Sequence, residues 1–203
     1  MSEVKEAQNL FYRRVHRVLA PIIRLFFPLD VQGREYLTDE AVVLCPNHSN
    51  ALDPILLACA MRCDVPLQFM AKKQIMDVPF IGWLAGKMGA FGVDRGNSDI
   101  GAIKNAIRCL KEGWKLIIFP EGTRVKEGEE VEAKGGAAMI AIRSGVRMQP
   151  VYIGTKKRLF RKTKVAFGPA YAPVYSGRKG TAEEYQANVE EVMRQVKELG
   201  GEV

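Results

Sequence analysis

The chain has 203 residues, enough for one domain with a sizeable core. With 47% hydrophobic and 26% charged residues, its composition excludes wholesale disorder. Thirty Lys and Arg against 23 Asp and Glu leave a net charge of +7, which favours anionic partners: nucleic acid, a phospholipid surface, phosphorylated substrates or an acidic carrier protein.

The first element in chain order is a helix. Val4, Ala7, Phe11, Val15, Val18, Ile22 and Leu25 recur every three or four residues and share one stripe. Lys5, Arg13, Arg14, Arg17 and Arg24 lie between them, and His16 is read as part of a solvated face. The apolar run from Val18 to Phe27 is broken by Pro21 and Arg24, so it falls short of the about 20 apolar residues that a spanning helix needs. No small-residue cleavage site follows it, as a secretory signal would require. Two readings stay open. The arm either lies in a bilayer headgroup layer through Arg13, Arg14, Arg17, Ile22, Ile23, Phe26 and Phe27, or packs its stripe on the domain. Pro21 predicts a kink or a second short helix.

The arm is drawn at residues 1–29 and one domain at 30–203, since no repeat or linker divides the rest. Ala41–Cys45, Leu67–Ala71, Lys115–Phe119, Met148–Ile153 and Lys164–Phe167 read as strands. Pro54–Cys63, Ile100–Glu112, Gly135–Ser144 and Ala182–Leu199 read as helices. Asn97 or Ser98 is the expected cap of the second of these and Gly113 its stop, and Thr181 with Glu184 forms a capping box before the last. The alternation predicts an α/β sandwich in which a mixed, mostly parallel sheet is flanked by helices and preceded by the amphipathic arm. Cys45, Cys59, Cys63 and Cys109 form no C-x-x-C pair and read as reduced core thiols, with no disulfide and no metal site.

Chemistry gathers after the strands. His48 follows the apolar run 41–46, within Asn47-His48-Ser49-Asn50-Ala51-Leu52-Asp53-Pro54. On a regular helix, His48 and Asp53 would stand roughly 140° apart, so they meet only if the segment bends. Pro54 favours a bend, because it disfavours helical geometry at Asp53 and suits the start of the next helix. A carboxylate on one imidazole nitrogen leaves the other free to take a proton. Asp53 as a plain helix cap is the competing reading. No serine sits in a Gly-x-Ser-x-Gly elbow, so a histidine base here acts on a substrate hydroxyl, as in direct acyl transfer to an alcohol.

A second cluster, Phe119-Pro120-Glu121-Gly122-Thr123-Arg124, has Pro and Gly placed for a type I turn, with Arg124 suited to clamp a phosphate. A third, Gly89 to Arg95, fits either a short strand and turn or a close backbone approach ending in another phosphate-competent arginine. Lys134-Gly135-Gly136 leads a helix whose N–H groups can receive an anion.

Taken together and in order, these clusters resemble the glycerolipid acyltransferase superfamily, most closely its bacterial 1-acyl-sn-glycerol-3-phosphate acyltransferases. Asn47 through Asp53 matches the Asn-His-x-x-x-x-Asp motif, Gly89, Phe91 and Arg95 match the second motif, and Phe119 to Arg124 matches the third. Gln149-Pro150-Val151-Tyr152-Ile153 resembles the fourth, an acyl-pocket segment, with Gln149 in place of an apolar residue. The resemblance implies that His48 is the general base and that Asp53 orients it. It also implies a substrate site of Asn47, Arg95, Glu121, Gly122, Thr123, Arg124 and Lys134. The implied acceptor is lysophosphatidic acid, and the donor is acyl-CoA or an acidic acyl-carrier protein. No cofactor or metal and no nucleic acid is expected. In this context the arm, with the basic run Lys156 to Lys164, is expected at an anionic membrane surface, peripherally on the cytoplasmic face. Glycerol-3-phosphate or another lysophospholipid is the alternative acceptor, and a non-catalytic basic membrane-binding protein the more distant reading.

Overall fold

The computed structural model describes residues 3–62, 67–94, 99–126, 128–129 and 131–201, without the side chains of 3–5, 7 and 8. Helix α1 (Glu3–Phe26) leads into β1 (Leu29–Gln32), and β2 (Val42–Pro46) precedes α2 (Asp53–Ala60). Strand β3 (Leu67–Lys72) is followed by the short α3 (Lys73–Met76) and α4 (Ile81–Lys87), then by β4 (Ala90–Val93). The chain continues with α5 (Ile100–Lys111), β5 (Lys115–Ile117), α6 (Gly136–Ser144), β6 (Arg147–Ile153), β7 (Thr163–Phe167) and α7 (Ala182–Gly200). The sheet order is β1-β7-β6-β2-β5-β3-β4. Strands β6, β2, β5, β3 and β4 run parallel, while β7 is antiparallel to β6 and carries β1 parallel to itself. The fold is therefore the expected mixed, mostly parallel sandwich.

The period-2 alternation of β2 divides the core between two faces. Val42 and Leu44 join Tyr12, Leu57, Ile117, Val151 and Phe167 beneath α1 and α2. Val43 and Cys45 join Ala106, Leu110, Ala138, Met148, Val189 and Val192 beneath α5, α6 and α7. Cys45, Cys59 and Cys109 are buried thiols, and Cys63 lies outside the described residues. Thr181 and Glu184 make both bonds of the capping box that opens α7. At α5, the expected caps Asn97 and Ser98 lie outside the described residues, and the cap is Asp99, whose carboxylate accepts from Ala102 N at 2.9 Å. Gly113, at φ 86°, follows the end of that helix.

Several expectations need correction. Leu29–Gln32 is a strand, and α3 and α4 are helices too short to show a period. Strand β5 stops at Ile117, so Phe119 already belongs to the turn beyond it. Helix α1 runs on through Pro21, so no second helix starts there. Its packed face is not the predicted stripe. Tyr12 and Ala20 are buried, His16 Nε2 lies 3.1 Å from the Ala58 carbonyl, and Arg24 donates to the Cys59 carbonyl. These positions recur every four residues and sit on α2. His16 is therefore half-buried rather than solvated, and burial lowers its pKa. On the predicted stripe, Val18, Ile22 and Leu25 stay 62%, 49% and 66% exposed. Among the described residues no helix is long and apolar enough to cross a membrane.

Candidate active site

The central neighbours β2 and β5 end side by side, and their outgoing loops form the site. Just past β2, the Asn47 amide donates to the Ile153 carbonyl at 2.9 Å and accepts from Ile153 N–H at 2.7 Å. Asn47 was expected to bind substrate. It lines the cleft beside His48, and both ends of its amide also continue the β2–β6 ladder by one side chain.

The chain then turns, with Asp53 N–H bonded to the Asn50 carbonyl at 3.1 Å and Leu52 N–H to Asn50 Oδ1 at 3.0 Å. This turn removes the helical separation of His48 and Asp53. Helix α2 begins at Asp53 itself, so the proline after it does not keep Asp53 out of the helix, and Asp53 is not the cap. Its carboxylate is fully buried. Oδ2 accepts from His48 Nδ1 at 3.0 Å and from the N–H groups of Ser49 and Asn50 at 2.7 Å each. Oδ1 pairs with the ammonium of Lys157. Burial pushes the Asp53 pKa up. The bonds from His48 and Lys157 and the backbone N–H of Asn50 outweigh that and hold it below the usual range. Asp53 is thus a fixed anion that orients the imidazole. Nε2 is the nitrogen left for a substrate, and Phe119 packs 4.2 Å from the imidazole between ring centroids.

The second loop is bolted to the first. Gly122 N–H bonds to the Phe119 carbonyl at 3.0 Å, closing the predicted turn, and Gly122 takes φ 67°. Glu121 Oε2 accepts from His48 N–H at 2.7 Å, and Val125 N–H donates to the His48 carbonyl at 2.8 Å. His48 is therefore held through both backbone groups by the Glu121–Val125 segment. Burial raises the Glu121 pKa to about 7, with the Asp53 anion adding to it against the bond from His48.

A cleft of about 290 Å³ opens beside His48, lined by Asn47, Ser49, Glu121, Val125, Lys126, Tyr152, Thr155, Met193, Val196 and Lys197 among others. It shares Glu121, Val125, Met193 and Lys197 with a wider groove of about 870 Å³ along α7. Lys126 and Lys197, single cations on a loop and a helix, carry no local sequence signal, and Lys157 is one of several cations in a basic run. In the structure Lys157 turns inward, donating to Ser49 Oγ at 2.6 Å as well as pairing with Asp53.

The remaining expected residues do not all converge. Thr123 and Arg124 are exposed and do not line the cleft. Lys134 is exposed, its N–H bonded to the Pro120 carbonyl at 2.9 Å and its stem alongside Gly122. Arg95 lies outside the described residues. Gln149, the departure in the fourth motif, is buried with its amide donating to the carbonyls of Tyr36 and Gly168 at 3.0 and 2.9 Å. Its role is to tie β6 to its surroundings. From that segment, Tyr152 lines the cleft.

A family model described as Acyltransferase matches residues 28–154. The chain is 35% identical over 158 residues to the 1-acyl-sn-glycerol-3-phosphate acyltransferase of Bacillus subtilis, covering 76% of this chain and 78% of that one. It is 39% identical over 133 residues to the protein of that name from Streptococcus pneumoniae, covering 63% and 48%. With the chloroplastic one of Arabidopsis thaliana, identity is 31% over 157 residues, covering 72% and 43%. The match spans less than half the length of several of these curated relatives, 43–48%. The crystal structure of the 1-acyl-sn-glycerophosphate (LPA) acyltransferase PlsC from Thermotoga maritima superposes with a TM-score of 0.68 at 29% identity, covering 97% of this chain and 79% of that one.

Proposed function

The chain belongs to the acyltransferase family, and from that premise we propose that it moves a fatty acyl group from an acyl thioester to the sn-2 hydroxyl of 1-acylglycerol-3-phosphate, giving phosphatidic acid. The observation that carries this reading is the 3.0 Å His48–Asp53 bond, in a loop that the Glu121–Val125 segment holds by two hydrogen bonds. The relatives named as 1-acyl-sn-glycerol-3-phosphate acyltransferases support the choice of acceptor.

In this mechanism Nε2 of His48 takes the proton of the acceptor hydroxyl as that oxygen bonds to the thioester carbonyl carbon. The tetrahedral adduct collapses, the C–S bond breaks, and the imidazolium returns the proton to the departing thiolate. Asp53 remains ionised throughout, holding Nδ1–H and offsetting the transient imidazolium charge. Lys126 and Lys197 line the cleft beside His48, a placement that suits the acceptor's phosphate. Acyl-CoA and acyl-carrier protein both supply the required thioester. The exposed Val18, Leu19, Ile22, Leu25 and Phe26, with Arg13, Arg14 and Arg17, support attachment of α1 to an anionic membrane surface without crossing it. Buried reduced thiols at Cys45, Cys59 and Cys109 fit the cytoplasmic side.

Thiol release from acyl-CoA in the presence of lysophosphatidic acid tests the reading. His48→Ala should lower the rate by about 10³-fold or more in a chain that still folds. Retained turnover removes the mechanism. Mass spectrometry of products formed from mixed acceptors should show phosphatidic acid; preference for lysophosphatidylcholine would overturn the phosphate-monoester reading.

A further inference from the structure

The loop joining β6 to β7 is where the site meets the molecular surface. Its inward residue is Lys157, whose side chain is 1% exposed and tied to Ser49 and Asp53. Its outward residues are Leu159 and Phe160, 59% and 65% exposed, set among the exposed Arg158, Arg161 and Lys162. Phe160 takes φ 59°, a conformation that bulky residues avoid. Its N–H donates to the Phe26 carbonyl at 2.7 Å, and the two rings lie 5.8 Å apart. The loop is thus fastened to the last turn of α1, where Ile22, Leu25 and Phe26 are also exposed. The backbone is held in a disfavoured region while the ring still faces out, which serves no interior packing.

We infer that this loop is a bilayer-contacting element that carries its own link to the catalytic pair: Leu159 and Phe160 enter an anionic headgroup layer while Lys157 anchors the same loop to Asp53. Large apolar side chains set among cations match the boundary between phosphates and acyl chains, where the cations meet phosphates and the rings reach below them. An acidic carrier protein would satisfy the cations, but a bilayer also covers the apolar band running from Ile22 to Phe160. Because Lys157 stands three residues from Phe160, seating the tip restrains the ammonium at Asp53. Lys157 acts through Asp53 and is a positioning residue, keeping one carboxylate oxygen occupied while the other holds His48. The kinetic part of this inference rests on the acyl-transfer reading, whereas the membrane part does not.

The experiment uses the full chain and phosphatidylcholine vesicles with and without phosphatidylglycerol. The Leu159→Ser, Phe160→Ser double variant should lose about fivefold or more of its flotation with anionic vesicles while melting as the parent does. Lys157→Met should float as the parent does. Its kcat should fall about 100-fold with little change in KM. The acidic limb of its pH profile should move to higher pH, since a cation opposing protonation of Asp53 is gone. Lys157→Arg should restore part of the rate. Undiminished flotation of the double variant, or loop-dependent binding to an acidic carrier protein in place of vesicles, overturns the surface. Parental kcat and pH profile in Lys157→Met overturn the link. A parent chain that floats through Leu159 and Phe160 yet releases no thiol supports the surface and counts against acyl transfer alone.

Discussion

Lys115 and Lys157 both have buried side chains, at opposite ends of the sheet, one opening β5 and the other following β6. Lys115 donates to the Glu40 carbonyl at 2.6 Å, and the neighbouring carboxylates of Asp39 and Glu40 belong to exposed residues. Burial therefore wins and depresses its pKa to about 8. Burial lowers the Lys157 pKa as well, but the anion that opposes it there is a single carboxylate that is itself fully buried. At the amino end the charges are spread over solvated partners, whereas at the carboxyl end they converge on Asp53. Burial alone does not distinguish a structural lysine from one coupled to a reactive site. The partner does.

Asp53→Asn tests the convergent end hardest. It should lower kcat by about 10²–10⁴-fold, because the imidazole loses its orienting anion. It also leaves the Lys157 ammonium buried without a carboxylate, so stability should fall by about 3 kcal/mol, read as a drop in melting temperature. Adding Lys157→Met to Asp53→Asn should recover part of that drop. A double variant no more stable than the single one would erase the contrast between the two ends.

Glu121 sharpens the same contrast through pH. Its carboxyl is raised from an ordinary 4.5 to about 7, so in that interval the folded chain holds a proton that the unfolded chain has released. Stability from this group is therefore present at low pH and lost as pH rises through about 7. Glu121→Gln keeps an oxygen for the His48 N–H and removes the slope. Its melting temperature should exceed the parent's by about 2–4 °C at pH 8 and match it more closely at pH 5.

Lys115→Met carries the smallest effect. With its pKa lowered from 10.5 to about 8, the unfolded chain holds the extra proton between those values, and stability from this group rises with pH there. The variant should lack that rise and melt about 2 °C higher at pH 7. A variant that still gained stability between pH 8 and 10 would show that Lys115 is not the titrating group.

What the sequence disclosed was local. The His48–Asp53 spacing ahead of Pro54, the Phe119–Gly122 turn and the Thr181–Glu184 box are each written within a few residues, and each forms. Partnerships across the fold left no trace. The Asp53–Lys157 pair spans 104 positions and the Asn47–Ile153 clamp 106, and nothing in a run of lysines says which one turns inward. The period of α1 identified a helix but not its covered side. Tyr12, His16, Ala20 and Arg24 form the packed row because α2 offers the carbonyls of Ala58 and Cys59, which only the tertiary arrangement brings near. Strand β1, four residues long, was too brief to outweigh the apolar arm before it.

The Asn47 clamp makes the scaffold vulnerable to ageing chemistry. Its amide impersonates a peptide unit, offering one donor and one acceptor to Ile153. Conversion of that amide to an acid would set a second oxygen against the Ile153 carbonyl, trading a bond for a repulsion. A single hydrolysed nitrogen would then unfasten the loop that bears His48 while leaving every reactive group chemically intact.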